Sequence, residues 1–230
     1  MSRILYDLTG AHDLRFSPNC WRSRLALAHK ELEVECEPCR FTEKDKIAFS
    51  GQKQVPVLRD GDTVINESWD IACYLEDTYP GNPSLFGGPV GQGLAHHLNW
   101  WANTVLHPAI VQTVLVDIHD SLAPEDQAYF RESREKRFGK RLEDVAGDQE
   151  ARLAATRQVL APTNLTLERQ KWICGDGPAY GDYLIFSALQ WARAVSPVAI
   201  VETGTAIYNW NERMLDLFDG LGRMIQPKAA

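Results

Sequence analysis

The stretch Phe16-Ser17-Pro18-Asn19-Cys20-Trp21 limits the fold more than any other part of the chain. It follows the short apolar run Ile4-Leu5-Tyr6-Asp7-Leu8 and precedes a helix-forming run from Trp21 to Lys30. A proline in the first turn of a helix gives up no hydrogen bond and presets the backbone angle, so the order reads strand, loop, helix. Unpaired amides at such a helix start, with the helix dipole, favour negative charge beside Ser17. A Cys-x-x-Cys pair at this junction would be redox-active; here Ser17 takes the first position and Cys20 the second. A hydroxyl forms no disulfide, but it donates a hydrogen bond to a thiolate that a ligand supplies.

The totals exclude several classes. With 44% hydrophobic and 24% charged residues among 230, the chain is ordinary for a folded protein of one large or two small domains. A net charge of -7 argues against nucleic-acid binding, which needs a clustered basic surface. No apolar run approaches the ~20 residues that span a bilayer, so no membrane role is expected. The chain opens on a strand-like segment without a signal-peptide pattern, and its five cysteines are irregularly spaced. A reducing cytoplasm is the expected location.

Residues 1–80 alternate strand-like and helix-like segments. Leu32 to Cys36 alternates as a half-buried strand, and Phe41 to Ser50 reads as a short or irregular helix. Val55-Pro56-Val57-Leu58 is a strand, Asp60-Gly61 a hairpin turn, and Thr63-Val64-Ile65 the return. Ser68 is placed to cap a helix from Trp69 to Thr78. This order is that of a thioredoxin-like α/β domain. A proline- and glycine-rich linker, residues 81–93, leads to an all-helical region, residues 94–230. There, Leu94, Leu98, Trp101 and Val105 form one stripe of a long helix. Glu125 to Arg141 is a charged helix, and residues 149–170 form another that Pro162 should bend or interrupt. Leu184, Ala188, Trp191 and Val195 mark a buried central helix, and Ile207 to Leu221 the last.

Three features carry chemistry. Ser17 sits ahead of a helix start. Pro56 begins a strand, where an edge position or a cis bend is expected, turning the main chain of Val55 outward to pair with a peptide-like ligand. Glu67 and Ser68 open the next helix and can hold an ammonium and a carboxylate, the two groups of an amino acid α-centre. Ser17 has a plainer reading as a helix cap, Val-Pro and Glu-Ser are common dipeptides, and Cys20 is a rival reactive sulfur near the helix start. Cys36-Glu37-Pro38-Cys39 lacks the further ligands that a zinc site needs, so no metal is expected.

Ser17-Pro18, Gln54-Val55-Pro56, Glu67-Ser68 and Ile71-Ala72-Cys73-Tyr74-Leu75-Glu76 together resemble the glutathione S-transferases, over nearly the whole chain. Within that superfamily the strings Ser17 to Arg22, Ser68-Trp69, Arg141 to Val145 and Asp219 to Arg223 are similar to the bacterial glutathione-dependent β-etherases and the related fungal serine-type enzymes. The resemblance implies glutathione as co-substrate, with its γ-glutamyl end on Glu67 and Ser68, its cysteinyl unit on Val55 and its backbone or glycine end on Gln54. Lys44 and Lys53 become candidates for the glycine carboxylate. Ser17 would hydrogen-bond the sulfur, supported by Asn19. Trp101, His107, Tyr129 and Phe130 are candidates for a hydrophobic acceptor pocket, and a homodimer is implied. The implied reaction is attack on an aromatic electrophile, with β-aryl ether cleavage of lignin-derived ketones as the subgroup's version. General detoxifying transfer, non-catalytic binding of hydrophobic ligands, and thiol reduction or thioether lysis through Cys20 are the alternatives. Many members place Ser or Thr three residues before the aspartate that opens a helix of the helical domain; Ala179 stands there, before Asp182, and predicts a weaker local turn.

Overall fold

The computed structural model describes residues 2–229. Strand β1 (Arg3–Leu8) lies between β2 (Glu35–Cys39), which runs parallel to it, and β3 (Val57–Asp60), which is antiparallel; β4 (Thr63–Asn66) closes the order β2-β1-β3-β4. Helix α1 (Pro18–His29) joins β1 to β2, and α2 (Ser68–Thr78) follows β4. This is the thioredoxin-like arrangement that the order of segments predicts.

Three boundaries differ from the sequence reading, each for a local reason. β2 starts at Glu35 and not at Leu32. Glu31 ends α1 in the left-handed region (φ 53°), and the Leu32 amide then donates to the Leu27 carbonyl at 3.0 Å, so Leu32 belongs to the helix end. β3 starts at Val57, two residues after Val55, because Pro56 brings no N–H to the ladder. The Val55-Pro56 bond is cis, one of the two outcomes expected there. Ser68 is the first residue of α2 and not its cap; Glu67 holds the cap position at φ 61° and makes no side-chain capping bond.

The rest of the described chain is helical: α3 (Pro89–Trp101), a wide π turn at Ala102–Leu106, α4 (His107–Asp120), α5 (Pro124–Phe138), α6 (Leu142–Ala146), α7 (Gln149–Leu167), α8 (Tyr180–Val195) and α9 (Ala206–Gly220). α3 begins at Pro89, inside the segment read as linker. The stripe Leu94, Leu98, Trp101, Val105 is not the buried side of this long helical unit. Ala95, Asn99, Ala102 and Leu106 are buried, while Leu94 is 68% and Val105 40% exposed. α7 runs through Pro162 without a break, since Pro162 sits on the exposed side where the carbonyl it leaves unpaired meets water. The last helix loses helical geometry at Leu217, Phe218 and Asp219, short of the expected Leu221.

α8 is the buried centre, and it packs against α1 so that both halves share one core. The Tyr180 hydroxyl donates to the Ser68 carbonyl (2.9 Å), tying the start of α8 to the start of α2. The turn before α8 is not weak. Asp182 accepts from the amides of Ile173 (2.8 Å), Cys174 (3.2 Å) and Ala179 (3.2 Å) and from the Trp210 indole (2.8 Å). The Asp182 amide, for which a hydroxyl at position 179 would be the acceptor, donates to the Ala179 carbonyl instead (2.9 Å).

Candidate functional site

A cavity of about 580 Å³ opens between the sheet domain and the helices, within the size range of small-molecule sites. One wall is the β1–α1 junction. Ser17 is the N-cap of α1, and its Oγ accepts from the Cys20 amide at 3.4 Å. That bond uses a lone pair and leaves the hydroxyl proton for a second partner. Ser17, Pro18 and Asn19 line the cavity. The capping and chemical readings of Ser17 are therefore compatible in one residue.

Cys20 is on the other side of the helix start. It is fully buried, its sulfur accepts from the Leu8 amide at 3.4 Å, and burial followed by the Asp7 carboxylate pushes its thiol well above the ordinary range. A thiol held protonated and out of reach is no nucleophile. Cys36 and Cys39 lie three apart on β2, which turns them to opposite faces of the sheet.

Gln54, Val55, Lys44 and Lys53 form the sheet-side rim. Val55 precedes the paired part of β3 and makes no backbone hydrogen bond among the described residues. Glu67, Ser68 and Pro56 lie outside the cavity lining. A non-glycine residue at φ 61° is strained, and Glu67 keeps this conformation at the start of α2.

The far wall is aromatic. Phe41, from the loop after β2, packs on Phe130 (5.8 Å between ring centroids) and Tyr129 (6.2 Å) of α5; Phe138 and Trp191 complete it. His107, Tyr129 and Phe130 line the cavity as the sequence suggests, but Trp101 does not. Its place is taken by Trp191, which lies on the stripe of α8 read as core. The buried indole N–H of Trp191 has no partner among the described residues.

Beneath this wall lies Arg22, 1% exposed and without a carboxylate partner among the described residues. It donates to Asn99 Oδ1 (3.1 Å), Asn103 Oδ1 (2.9 Å) and His107 Nε2 (3.0 Å). Burial holds its pKa down to about 10, so it stays a cation at neutral pH. Burial and that cation push His107 down to about 3. Asn99, Asn103 and His107 recur every four residues along this helical run; that spacing is the signal that sequence reasoning passed over.

Residues 93–215 match the family profile described as "Glutathione S-transferase, C-terminal domain", and residues 12–83 match the N-terminal domain of the same name. The chain belongs to the glutathione S-transferase family. Its fold is the glutathione S-transferase architecture, a thioredoxin-like domain joined to a helical one. Glutathione transferase GSTFuA3 from Phanerochaete chrysosporium is 26% identical with a TM-score of 0.77, over 96% of this chain and 92% of that one. A Ceriporiopsis subvermispora glutathione S-transferase, solved in complex with glutathione, has a TM-score of 0.80 at 22% identity, covering 95% and 97% of the two chains. Among curated sequences, glutathione S-transferase Z1 of Arabidopsis thaliana is 40% identical over 76 residues, 28% of this chain and 34% of the relative. The chain thus spans about a third of the length of the curated relatives it matches. Among the described residues no helix is long and apolar enough to cross a membrane.

For a glutathione S-transferase the division of the cavity is informative. The thioredoxin-like domain supplies Ser17, Lys44, Lys53 and Gln54, and the aromatic wall comes mostly from α8 and from α5, which also carries Arg134 and Arg137.

Proposed function

We propose that this chain binds glutathione along the Ser17–Val55 side of the cavity and transfers its sulfur to an aromatic electrophile seated against Phe41, Tyr129, Phe130 and Trp191. The observation that carries the reading is Ser17: a capping hydroxyl with its proton free, at a helix start, facing a cavity that is polar on one side and aromatic on the other. A free thiol has a pKa of about 8.5, and each unit of lowering takes ~1.4 kcal/mol of preference for the thiolate. One hydroxyl donor plus helix-end amides is enough for that. The Val55 main chain is available to pair with the cysteinyl unit, Gln54 with the backbone or glycine end, and Lys44 and Lys53 with the glycine carboxylate. Glu67 and Ser68 would clamp the γ-glutamyl end, a role consistent with backbone strain retained at a helix start. Asn19 supports Ser17.

The acceptor chemistry we infer is cleavage of a β-aryl ether next to a ketone. The thiolate attacks the carbon bearing the ether oxygen, the carbon–oxygen bond breaks with its electron pair going to the aryloxide, and a thioether forms. The aryloxide then takes a proton from water. A donor for the ketone oxygen is His107 on the cavity wall, whose Nε2 accepts from Arg22 and whose other nitrogen therefore carries the proton. The protein is expected to act as a cytoplasmic homodimer.

The test is glutathione with a ketone β-aryl ether bearing a fluorescent phenol. Phenol release that falls about 10²-fold in kcat for Ser17→Ala, and is unchanged for Cys20→Ser, supports the reading. No phenol release, with turnover of 1-chloro-2,4-dinitrobenzene, makes the chain a general detoxifying transferase. Binding of aromatics without glutathione consumption makes it a carrier.

A further inference from the structure

The cavity is more cationic than a site for neutral aromatics requires. Arg40, Lys44, Lys53, Arg134 and Arg137 line it against a single acid among the described lining residues, Glu43. This runs against the chain's net charge of -7, so it is not a by-product of composition. Nor are the five cations equivalent. Arg40 is paired with Glu43 (3.3 Å) and Glu125 (3.5 Å), and Lys44 donates to the Tyr129 hydroxyl (3.2 Å). Lys44, Lys53, Arg134 and Arg137 have no carboxylate partner among the described residues, and the two arginines are the pair that stands on α5. Acids are available on the same helix: Arg131, one turn earlier, binds Glu135 (3.0 Å) and, on α6, Glu143 (2.9 Å). α5 thus neutralises the arginine that points away from the cavity and leaves bare the two that line it.

The local packing suits a ligand. The Arg134 guanidinium lies 4.8 Å from the Phe130 ring centre and 5.6 Å from that of Phe41, and its side-chain hydrogen bond goes to the neighbouring Ser133 hydroxyl (3.2 Å). Arg137 lies over Phe138 at 5.9 Å. Burial and the like charge of Arg137 both disfavour the Arg134 cation. Flat guanidinium groups braced on aromatic faces, with their N–H edges open, are suited to grip a carboxylate in two-point fashion. Phe130, Arg134, Arg137 and Phe138 recur at helical spacing, so one face of α5 presents ring, cation, cation, ring.

We propose that the electrophile taken by this cavity is an aromatic anion, bearing a carboxylate that Arg134 and Arg137 clasp while its ring lies against Phe41 and Tyr129. The inference rests on the reading above that the α5 side of the cavity takes the acceptor. The glycine carboxylate of glutathione is the other source of the same group. It is assigned to the sheet domain's side, to Lys53 and to Lys44, whose ammonium reaches across to lie over the Tyr129 ring at 4.6 Å.

The experiment has a binding arm and a turnover arm. Equilibrium binding of unreactive 3,5-dinitrobenzoate is compared with that of neutral 1,3-dinitrobenzene, in the presence of S-methylglutathione. Turnover with glutathione is compared between 4-chloro-3,5-dinitrobenzoate and 1-chloro-2,4-dinitrobenzene, each relative to its uncatalysed rate. In both reactions the carbon–sulfur bond forms as chloride leaves with the electron pair. The preference for the benzoate should fall at least about tenfold in Arg134→Gln/Arg137→Gln, in affinity and in kcat/KM, and should shrink with added salt in the wild type. A wild type that binds the two unreactive probes equally, or a double variant that keeps the preference, overturns the proposal. So does a double variant whose single change is a higher KM for glutathione, which would assign the pair to the glycine end. Selective binding of the benzoate without turnover of either chloride upholds the anion site and removes the transferase reading instead. Arg134→Lys separates charge from fold: it keeps the cation and loses the two-point grip, and should retain part of the preference.

Discussion

Arginine has five N–H donors and no acceptor, so each atom that Arg22 touches must offer a lone pair. This fixes His107 as the neutral imidazole with its proton on the nitrogen remote from Arg22, 3.0 Å away at Nε2. It also turns the amide nitrogens of Asn99 and Asn103 away from the cation. The arrangement has a consequence for stability. The unfolded chain binds a proton at His107 near its ordinary pKa of 6.5, whereas the folded chain refuses that proton until about pH 3. Folded stability is therefore intact above 6.5 and is lost as pH falls through that window. Glutamine at this position offers an amide oxygen to Arg22 but does not titrate. Relative to His107→Gln, the wild type should lose stability at up to about 1.4 kcal/mol per pH unit between pH 5.5 and 4, read from urea melts at each pH. Parallel pH profiles for the two proteins would place the proton elsewhere.

At the level of elements, the start of α8 shows how one side chain holds a turn that lacks the reciprocal cap. Four donors converge on Asp182 from the 173–174 turn, the Ala179 amide and the Trp210 indole on α9. Asp182→Ala strands all of them inside the helical core and should cost about 3–5 kcal/mol in urea unfolding, with Asp182→Asn between it and wild type. A loss under 1 kcal/mol would mean that the turn is held by its backbone alone. The same elements show what a sequence discloses. The strand–loop–helix around Ser17, the hairpin at Gly61 and the main chain of Val55 are legible because neighbours in sequence determine them. Arg22, Asn103 and Trp191 were not, because what makes them part of the site is which helix faces which. Tryptophans 101 and 191 both recur at apolar helical spacing, and only one reaches the cavity. The phase of the α3–α4 unit is also hidden. Four of its fully buried positions, Ala102, Leu106, Ile110 and Val114, step by four, which in a regular α-helix would rotate off the face by about 40° each time. The π turn at Ala102–Leu106 widens the helix there and takes back part of that drift. Nothing in the residue pattern announces it.

For the whole molecule, the stripe that fails to enter the core becomes the informative one. Val90 (79% exposed), Leu94 (68%), Trp100 (57%) and Val105 (40%) run along the outer side of α3 and the π turn. The inner side of the same turns carries Ala95, Asn99, Ala102 and Leu106. A helix apolar on both sides is buried on both, and large apolar residues recurring along one exposed face mark a contact surface. If the homodimer proposed above covers that face, light scattering should give twice the 25.9 kDa of one chain at micromolar concentration. Leu94→Glu with Trp100→Glu should yield a monomer of nearly unchanged urea midpoint, since neither side chain packs in the core. The consequence reaches the site, because Asn103 and His107 hang from the continuation of this helix. A second copy braced against its outer side would hold the acceptor wall in place. The monomeric variant should therefore raise KM for the electrophile more than for glutathione. A wild type that elutes as a monomer would leave the stripe to a different partner, and a monomeric variant with unaltered KM values would separate assembly from catalysis.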